Sequence, residues 1–415
     1  MKAAIIAVGS ELLDPLRRET NGAYLTGRLR EIGVDVFART CVADDGAWLE
    51  AAFREGLSRA DVVISTGGLG PTEDDLTRDS AARAVGRPLR RDESILEWLR
   101  ERFARFNRVM APVNEKQADV IEGATVLPNA RGTAPGQWLD LGGPLLFLLP
   151  GPPGEMQPMF DDLVLPLLRE RAGSQVLRTR VLKIASMGES DVEQVVAPLY
   201  KTFTNPRTTI LGGAGQTELH LTAEGASAEE VEARLEELAS GIRGLLPGRV
   251  YSEDGRELPE VVAALLRERR LSLALAESCT GGLLASRLTS VPGASEFLDR
   301  GYVTYSNQAK VDLLGVDPAL IEAHGAVSEE VARAMAEGAR RQAGTDLAVA
   351  ITGIAGPGGE TPGKPVGLVF LALAGALGDR LRRVQFPGDR ERVRRQAAQA
   401  GLEMIRRAVL GLSAS

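Results

Sequence analysis

Short apolar strands alternate with amphipathic helices over the first 66 residues of the chain. A strand at "KAAIIAV", a helix at 20–32, a strand at "VDVFART", a helix at 46–59 and a buried strand at "ADVVISTGG" follow one another. This βαβαβ order predicts a parallel sheet with helices on both faces. Because ligand sites on such sheets collect beyond the carboxyl ends of the strands, the segment "GGLGPTEDD" marks a candidate site.

The pattern changes in the middle of the chain and then returns. Strand-like alternation in "QVLRTRVLKIA" and "TELHLTAEG" is combined with helical periodicity in "ESDVEQVVAPLY" and "SAEEVEARLEELASGI". Later segments predict strands at "LSLALA", "DLAVAITG" and "VGLVFLALAG", with a helix at 328–342 and a terminal helix from about Asp389. We therefore predict an α/β domain at 1–170, a small α+β domain at 172–252 and a second α/β domain at 257–415.

Composition narrows the classes of function. A net charge of −7 and an aromatic content of 4% disfavour a dedicated nucleic-acid binder. Two cysteines without a CxxC pair and only two histidines argue against a disulfide framework and a zinc site, so any metal should be a hard cation held by carboxylates. Neither a signal-peptide pattern nor an apolar run of membrane-spanning length is found, and a cytoplasmic location without membrane contact is expected.

The strongest local signal is "LALAESCTGGLLASRL", where a buried strand runs through a tight turn into a helix. Ser278, Cys279 and Thr280 lie in the turn, which lifts a hydroxyl or thiol out of the sheet. The first helical N–H groups, near Gly281 and Gly282, are expected to face the atom under attack, as an oxyanion hole requires. An ordinary turn with a Ser or Thr cap is the alternative.

Lys310, within "GYVTYSNQAKVDLLG", is the better candidate for activating the serine, because His324 is expected at a helix end. A lysine acts as a base only if desolvation or a nearby cation keeps part of it neutral. The segment supplies apolar surroundings, and Tyr302, Tyr305 and Ser306 are groups that could relay or orient the proton. A solvated surface lysine is the alternative.

A glycine-rich loop, "AVAITGIAGPGGETPGKP", follows the strand that Thr352 closes. Gly353 and Gly356 belong to a main chain that can wrap a phosphate, although the ending of a Walker A loop is missing. In "GDRERVRRQAAQA" arginines enter the first turn of the terminal helix, the end that disfavours cations, which indicates an anionic ligand. A flexible connection and plain surface charge are the alternatives.

The loop "STGGLGPTEDDLT" of the first domain joins glycines to adjacent carboxylates. Its backbone can approach a pyrophosphate, and its carboxylates can hold a bridging Mg²⁺. An aspartate cap for the helix that starts near Leu76 is the alternative. The predicted substrate-binding residues are Gly67, Gly68, Gly70 and Thr72, and the predicted metal ligands are Asp74, Asp75, Glu11 and Glu155.

Eight segments make the sequence resemble the CinA (competence/damage-inducible) family over its full length. They are "VGSELL", "TNGAYL", "TGGLGPTEDD", "PNARGTAPG", "LPGPPGE", "LALAESCTGG", "YSNQAK" and "ITGIAGPGG". The N-terminal part is similar to the molybdopterin-binding fold of molybdenum-cofactor enzymes, and the middle part to a KH-type domain. The C-terminal part is similar to nicotinamide mononucleotide (NMN) deamidases. The implied fold is α/β, with a molybdopterin-binding-like parallel domain, a KH-like domain and a deamidase domain.

The resemblance also implies activities and residue roles. It implies a serine nucleophile at Ser278 with Lys310 as its base. It also places Tyr305, Thr352 and an arginine of the last helix around the nucleotide; this arginine is chosen as Arg392, with Arg390 as the first alternative. For the first domain it implies an ADP-ribose pyrophosphatase that depends on a divalent metal, with Mg²⁺ expected and K⁺ as a further candidate ion. The deamidase domain is expected to need no cofactor.

Two classes of function are weighed. The first is a bifunctional hydrolase of NAD salvage that acts on NMN and ADP-ribose as a homodimer. The alternative is a regulatory or competence module that binds a nucleotide or a pterin, with one activity or none. Binding of nucleic acid is disfavoured, because "LGGAGQ" follows a strand and does not form a GXXG loop between helices. Ammonia release from NMN separates the two classes, since a pure binder releases none.

Overall fold

A computed structural model describes residues 1–105, 107–173, 176–213 and 215–413. The chain forms two compact units, one of residues 1–178 and 223–232 and the other of residues 179–222 and 233–415. In the described part of the chain, no helix combines the length and apolar character needed to cross a membrane. The three-domain boundaries inferred from the sequence stay a prediction.

The first unit contains a six-stranded sheet and a separate pair of short strands. Its strands are β1 (Lys2–Val8), β2 (Asp35–Val42), β3 (Val62–Thr66), β4 (Leu89–Arg91), β5 (Asp119–Ile121), β6 (Thr125–Leu127), β7 (Gly136–Asp140) and β8 (Leu145–Leu149). The main order is β2-β1-β3-β8-β7-β6, and β4 pairs with β5. In this order β2, β1, β3 and β8 run parallel to one another. Strand β7 runs antiparallel to both of its neighbours, β8 and β6. The parallel sheet predicted from the first βαβαβ segment is confirmed for β1, β2 and β3, and the edge beyond β8 is antiparallel because the short β7–β8 connection permits only a hairpin.

Helices cover both faces of this sheet, as the βαβ rhythm predicts. They are α1 (Asn21–Glu31), α2 (Gly46–Arg59), α3 (Thr77–Val85), α4 (Glu93–Arg105), α5 (Pro153–Met159) and α6 (Leu165–Ala172). Successive residues of β1 point to opposite faces. Ile5 joins a core with Leu25 of α1, whereas Ile6 joins a second core with Phe53 of α2.

A smaller four-stranded sheet follows, with two helices. Its elements are β9 (Val176–Ala185), α7 (Glu189–Tyr200), β10 (Arg207–Gly213), β11 (Gln216–Gly225), α8 (Ala228–Leu245) and β12 (Val250–Ser252). The strand order is β10-β11-β9-β12. Gly212 and Gly213 lie at the end of β10, where it pairs in antiparallel register with β11. These glycines therefore belong to a hairpin and not to a helix–loop–helix.

The C-terminal sheet has the order β14-β13-β15-β16-β17. Its strands are β13 (Leu273–Glu277), β14 (Leu298–Val303), β15 (Leu347–Gly353), β16 (Leu368–Gly375) and β17 (Arg380–Gln385). Its helices are α9 (Leu258–Arg269), α10 (Leu283–Thr289), α11 (Asn307–Leu314), α12 (Pro318–His324), α13 (Glu329–Ala343) and α14 (Arg390–Val409). Because β14, β13 and β15 run parallel, the loops that follow them meet at one edge of the sheet.

Candidate functional site

Ser278 follows β13 directly, at the carboxyl end of a central strand. Its N–H donates a hydrogen bond to the carbonyl of Ile351 in the adjacent strand β15, at 2.9 Å, so the residue is still held by the sheet. Its side chain is 8% exposed. The turn then continues to Gly282, which precedes α10. The strand–turn–helix geometry predicted from the sequence is confirmed.

Lys310 of α11 contacts Ser278. The Nζ atom lies 3.2 Å from Ser278 Oγ and donates to the carbonyl oxygens of Thr304 and Ser306, at 2.8 and 3.4 Å. The residue is 1% exposed, and burial lowers the pKa of its ammonium group below the usual range. No acidic side chain of the described residues forms an ion pair with it. Desolvation without a counter-ion favours the neutral amine that a base requires.

The carboxylate of Glu277 occupies the start of α10. It accepts hydrogen bonds from three backbone N–H groups, those of Gly282, Leu284 and Ala285. Gly281 donates its N–H to the carbonyl of Ser278 at 3.1 Å. The expectation that the amides of Gly281 and Gly282 face the reacting atom is therefore wrong, because both are already bound within the turn.

Two other amides of the turn are left without an acceptor. Among the described residues, no acceptor is found for the N–H groups of Cys279 and Thr280, which follow Ser278 directly. The Thr280 hydroxyl is likewise buried without a hydrogen-bond partner. Burial raises the pKa of the Cys279 thiol to about 12, so this side chain stays protonated. The turn thus offers unpaired donors beside the Ser278 hydroxyl, and a protonated neighbouring thiol is a poor nucleophile.

Arg390, in the first turn of α14, connects two predicted site elements. Its guanidinium donates to the carbonyl of Gly356 at 2.8 Å and to the hydroxyl of Tyr305 at 2.7 Å. The Tyr305 ring is 59% exposed. One helical turn later, Arg394 donates to the carbonyl of Thr280 at 2.9 Å. These contacts bring the glycine loop, the segment before Lys310 and the Ser278 turn together.

Arg392 does not share this face of α14. It lines a separate cleft of about 1010 Å³, together with Ser186, Gly213 and Arg395. Two residues along a helix correspond to a rotation of about 200°, so Arg390 and Arg392 point in different directions. The choice of Arg392 from the sequence is therefore not supported, because Arg390 and Arg394 are the arginines of this helix that contact the elements around Ser278.

The two remaining residues of this region are held by the fold. Thr352 is buried at the end of β15, and its hydroxyl donates to the carbonyl of Ala326 at 2.8 Å. Gly353 is required by packing, because an added Cβ would lie 2.7 Å from a methyl group of Val369 and 2.8 Å from the carbonyl of Leu368. Both residues border the site. The hydroxyl hydrogen of Thr352 is already donated within the fold, and Gly353 has no side-chain donor.

The first unit has its own cleft, of about 600 Å³, at the carboxyl ends of β1, β3 and β8. All the predicted residues of this unit except Thr72 line it, together with Gly151 and Asn21. Six carboxylates and two arginines share its walls: Glu11, Glu19, Asp44, Asp74, Asp75 and Glu155, with Arg17 and Arg18. A phosphate would therefore meet an excess of negative charge, which a divalent cation can neutralise.

The glycine loop of this cleft leaves two amides available. Gly67 donates its N–H to Leu149, and Gly70 donates to Asp75. Within the described ranges, the N–H groups of Gly68 and Leu69 have no acceptor. Leu69, which the sequence did not single out, therefore joins Gly68 as a candidate anion-binding residue.

The four predicted carboxylates differ in their availability. Asp75 is turned into its own loop, where it accepts from Gly70 and from the N–H and hydroxyl of Thr72. It does not cap α3, whose preceding residue Leu76 has no side-chain cap. Glu155 accepts from the side-chain amide of Asn129 at 2.7 Å. Glu11 and Asp74 are exposed at the cleft.

These side chains do not form a dense metal centre. Among the residues that the structure describes, no three His, Cys, Asp or Glu side chains converge as ligands. Asn21, however, has a buried Oδ1 atom without a hydrogen-bond partner, while its Nδ2 donates to Thr66 and Gly151. Mg²⁺ commonly binds through one or two protein oxygens together with substrate phosphates and water. Asn21, Glu11 and Asp74 fit a site of that kind.

Comparison with known proteins covers nearly the whole chain. Residues 255–409 match the CinA C-terminal domain, residues 4–170 the probable molybdopterin binding domain and residues 179–252 the damage-inducible protein CinA KH domain. A "CinA-like protein" of Solibacter usitatus is 48% identical over 411 residues, covering 99% of both chains. A putative competence-damage inducible protein of Symbiobacterium thermophilum is 47% identical over 425 residues, again covering 99% of each.

A solved structure also matches part of the chain. A competence/damage inducible protein of Agrobacterium tumefaciens is 41% identical, and the match covers 36% of this chain and 94% of that one, with a TM-score of 0.34.

Proposed function

The chain belongs to the CinA family, and on that basis we propose that it hydrolyses NMN in its C-terminal part and ADP-ribose in its N-terminal part. The observation that carries the first activity is the contact between Lys310 and Ser278 in a buried setting. A hydroxyl becomes a nucleophile when a neighbouring base accepts its proton. The short contact and the lowered pKa of Lys310 supply that base.

The amidase reaction then follows from the turn. Neutral Lys310 takes the proton of Ser278 as Oγ attacks the carboxamide carbon, and the resulting oxyanion accepts hydrogen bonds from the N–H groups of Cys279 and Thr280. The lysine returns the proton to the amide nitrogen, the C–N bond breaks, and ammonia leaves an ester on Ser278. Water, deprotonated by the same lysine, hydrolyses this ester to nicotinate mononucleotide and restores the serine.

The phosphate and the ring of the nucleotide are assigned to the surroundings of this turn. Arg390 and Arg394 lie on one face of α14 beside the glycine loop, and guanidinium groups bind phosphate bidentately. Tyr305 presents an exposed ring on which a pyridine can stack. Arg390 contacts Tyr305, so the phosphate and ring sites share one framework.

For the N-terminal cleft we propose metal-dependent cleavage of the pyrophosphate bond. The N–H groups of Gly68 and Leu69 would bind a phosphate oxygen, and Arg17 and Arg18 line the same cleft. Asn21, Glu11 and Asp74 would hold Mg²⁺, whose charge would offset that of the pyrophosphate. The products would be AMP and ribose 5-phosphate.

Two assays with the full chain test the proposal. Incubation with NMN should release ammonia and nicotinate mononucleotide without added metal, and incubation with ADP-ribose should release AMP only when Mg²⁺ is present. Absence of ammonia from NMN would favour a binding or regulatory module. Absence of AMP would leave an amidase whose N-terminal cleft only binds.

A further inference from the structure

Arg78 is a buried cation in an unfavourable position. It is 1% exposed and lies in the first turn of α3, the end of a helix that carries a partial positive charge. Within the described chain it forms no ion pair, and its Nε atom is buried without a partner. Burial lowers the pKa of its guanidinium group. Buried arginines of this kind are costly to stability, so the position calls for another explanation.

The guanidinium is bound to the main chain of the glycine loop. It donates to the carbonyl of Leu69 at 2.8 Å and to the carbonyl of Gly70 at 2.9 Å. Thr77, the preceding residue, binds the two earlier carbonyls in the same way: its hydroxyl donates to Gly67 at 2.8 Å and its N–H to Gly68 at 3.2 Å. Four consecutive carbonyl groups therefore point toward the start of α3.

Peptide geometry decides where the loop's N–H groups point. In a trans peptide unit the C=O and N–H bonds are directed to opposite sides. Since the carbonyls of Gly67 and Gly68 face α3, the N–H groups of Gly68 and Leu69 face away from it. Both residues line the cleft, and both N–H groups lack an acceptor in the described part of the chain.

We propose that Arg78 is a positioning residue for anion binding in the N-terminal cleft. Its guanidinium fixes the carbonyls of Leu69 and Gly70, and so anchors the end of the loop that directly follows the two N–H groups turned toward the cleft by the Thr77 contacts. It also places a full positive charge directly behind that loop, where solvent cannot screen it. The inference rests on the proposed pyrophosphatase function and names the group that keeps the anion-binding loop in shape.

The test measures binding of inorganic pyrophosphate to the full chain by titration calorimetry in the presence of Mg²⁺. Arg78→Gln, which is neutral but can still donate to a carbonyl, should raise the Kd at least tenfold. Arg78→Lys, which keeps the charge, should stay within about threefold of the parent. The matched control is Arg83→Met: Arg83 lies on the same helix, pairs with Glu50 on the surface and should leave the Kd unchanged. If Arg78→Gln fails to fold, the Kd of Arg78→Lys provides the test.

The outcomes distinguish failure of the role of Arg78 from failure of the proposed pyrophosphatase function. An Arg78→Gln protein that folds and binds pyrophosphate with the parent Kd would overturn the role of Arg78, even if its melting temperature falls. If Arg78→Lys raises the Kd for pyrophosphate tenfold, as Arg78→Gln is expected to do, the charge at position 78 does not support binding and the proposal is overturned. If the parent neither binds pyrophosphate nor cleaves ADP-ribose, the proposed function and the inference fail together.

Discussion

Lys310 Nζ lies 3.2 Å from Ser278 Oγ, although the two residues are 32 positions apart and belong to successive strand–helix segments. The pair forms because β13 and β14 are parallel neighbours, so the segments that follow them emerge side by side. Burial of the amine and the absence of an acidic partner among the described residues favour its neutral form, which a base requires.

Ser278→Ala should abolish ammonia release from NMN and leave AMP release from ADP-ribose nearly unchanged. The alanine removes the only hydroxyl in contact with Lys310 among the described side chains. Cys279→Ala is the matched control and should keep most of the activity, because burial keeps its thiol protonated. An inactive Cys279→Ala protein beside an active Ser278→Ala protein would show that the nucleophile is misassigned.

Replacement of Lys310 by arginine should be as harmful as replacement by methionine. A guanidinium stays protonated and cannot accept the serine proton, so we expect a loss of kcat of roughly 10²–10⁴-fold in both variants. Stopped assays of ammonia release measure this loss. Near-parental kcat in Lys310→Arg would exclude the lysine as the base.

The deamidase rate should rise with pH and level off below the pH at which an ordinary lysine titrates. Burial lowers the pKa of Lys310, and the neutral form, present above that pKa, is the active one. Between the folded and the unfolded pKa the unfolded chain binds more protons, so the free energy of unfolding should rise with pH across this window. This contribution is lost as the pH falls through the folded pKa.

The control for the pH dependence is Lys310→Met. Urea unfolding of the parent and of this variant at several pH values isolates the contribution of the lysine. A deamidase rate that does not change with pH, combined with equal pH dependence of stability in both proteins, would contradict a lysine with a lowered pKa.

Arg390→Ala should remove most of the preference for the phosphate of NMN. Loss of one charge-assisted contact is worth about 1.5–3 kcal/mol, or roughly 10- to 100-fold in kcat/KM for the mononucleotide, with little change for the riboside. Arg392→Ala is the matched control, because Arg392 lines another cleft. A larger effect at Arg392 than at Arg390 would show that the phosphate binds elsewhere.

Glu11→Gln and Asp74→Asn should each raise the Mg²⁺ concentration needed for half-maximal ADP-ribose cleavage by roughly 10-fold or more. Both carboxylates face the N-terminal cleft and are exposed there. Glu55→Gln, on the surface of α2 in an ion pair with Arg59, should have no effect. Full activity of the double variant in excess EDTA would show that cleavage in this cleft does not require a metal.

The sequence predicted those features of the fold that depend on a single contiguous segment of the chain. The Ser278 turn is of this kind, because a buried strand, a pair of glycines and a helix are contiguous. β17 was missed, since arginines interrupt its alternation and the strand is stabilised by pairing with β16. The antiparallel edge of the N-terminal sheet was not predicted either, because the direction of a strand depends on how its connection closes.

The sequence did not predict which face of a helix a residue occupies at the site, or which partner a polar group binds there. The first turn of α14 contains several arginines, and only packing determines that Arg390 faces Gly356 while Arg392 faces away. Asp75 was expected as a cap or a ligand, yet it closes its own loop. Leu69 has an ordinary side chain, and its contribution lies in a backbone N–H group that no sequence pattern reveals.

The carboxylate of Glu277, bound to three amides at the start of α10, has a consequence for the timing of catalysis. The turn that carries Ser278 is closed by groups of its own strand and helix, and it is also held by β15 through Ile351 and by α14 through Arg394. Its shape is therefore set before any nucleotide arrives, and the energy gained on binding is not used to fold it. A nucleotide bound as proposed would meet a preformed serine turn, so we expect ligand-driven motion in the exposed Tyr305 side chain and not in that turn.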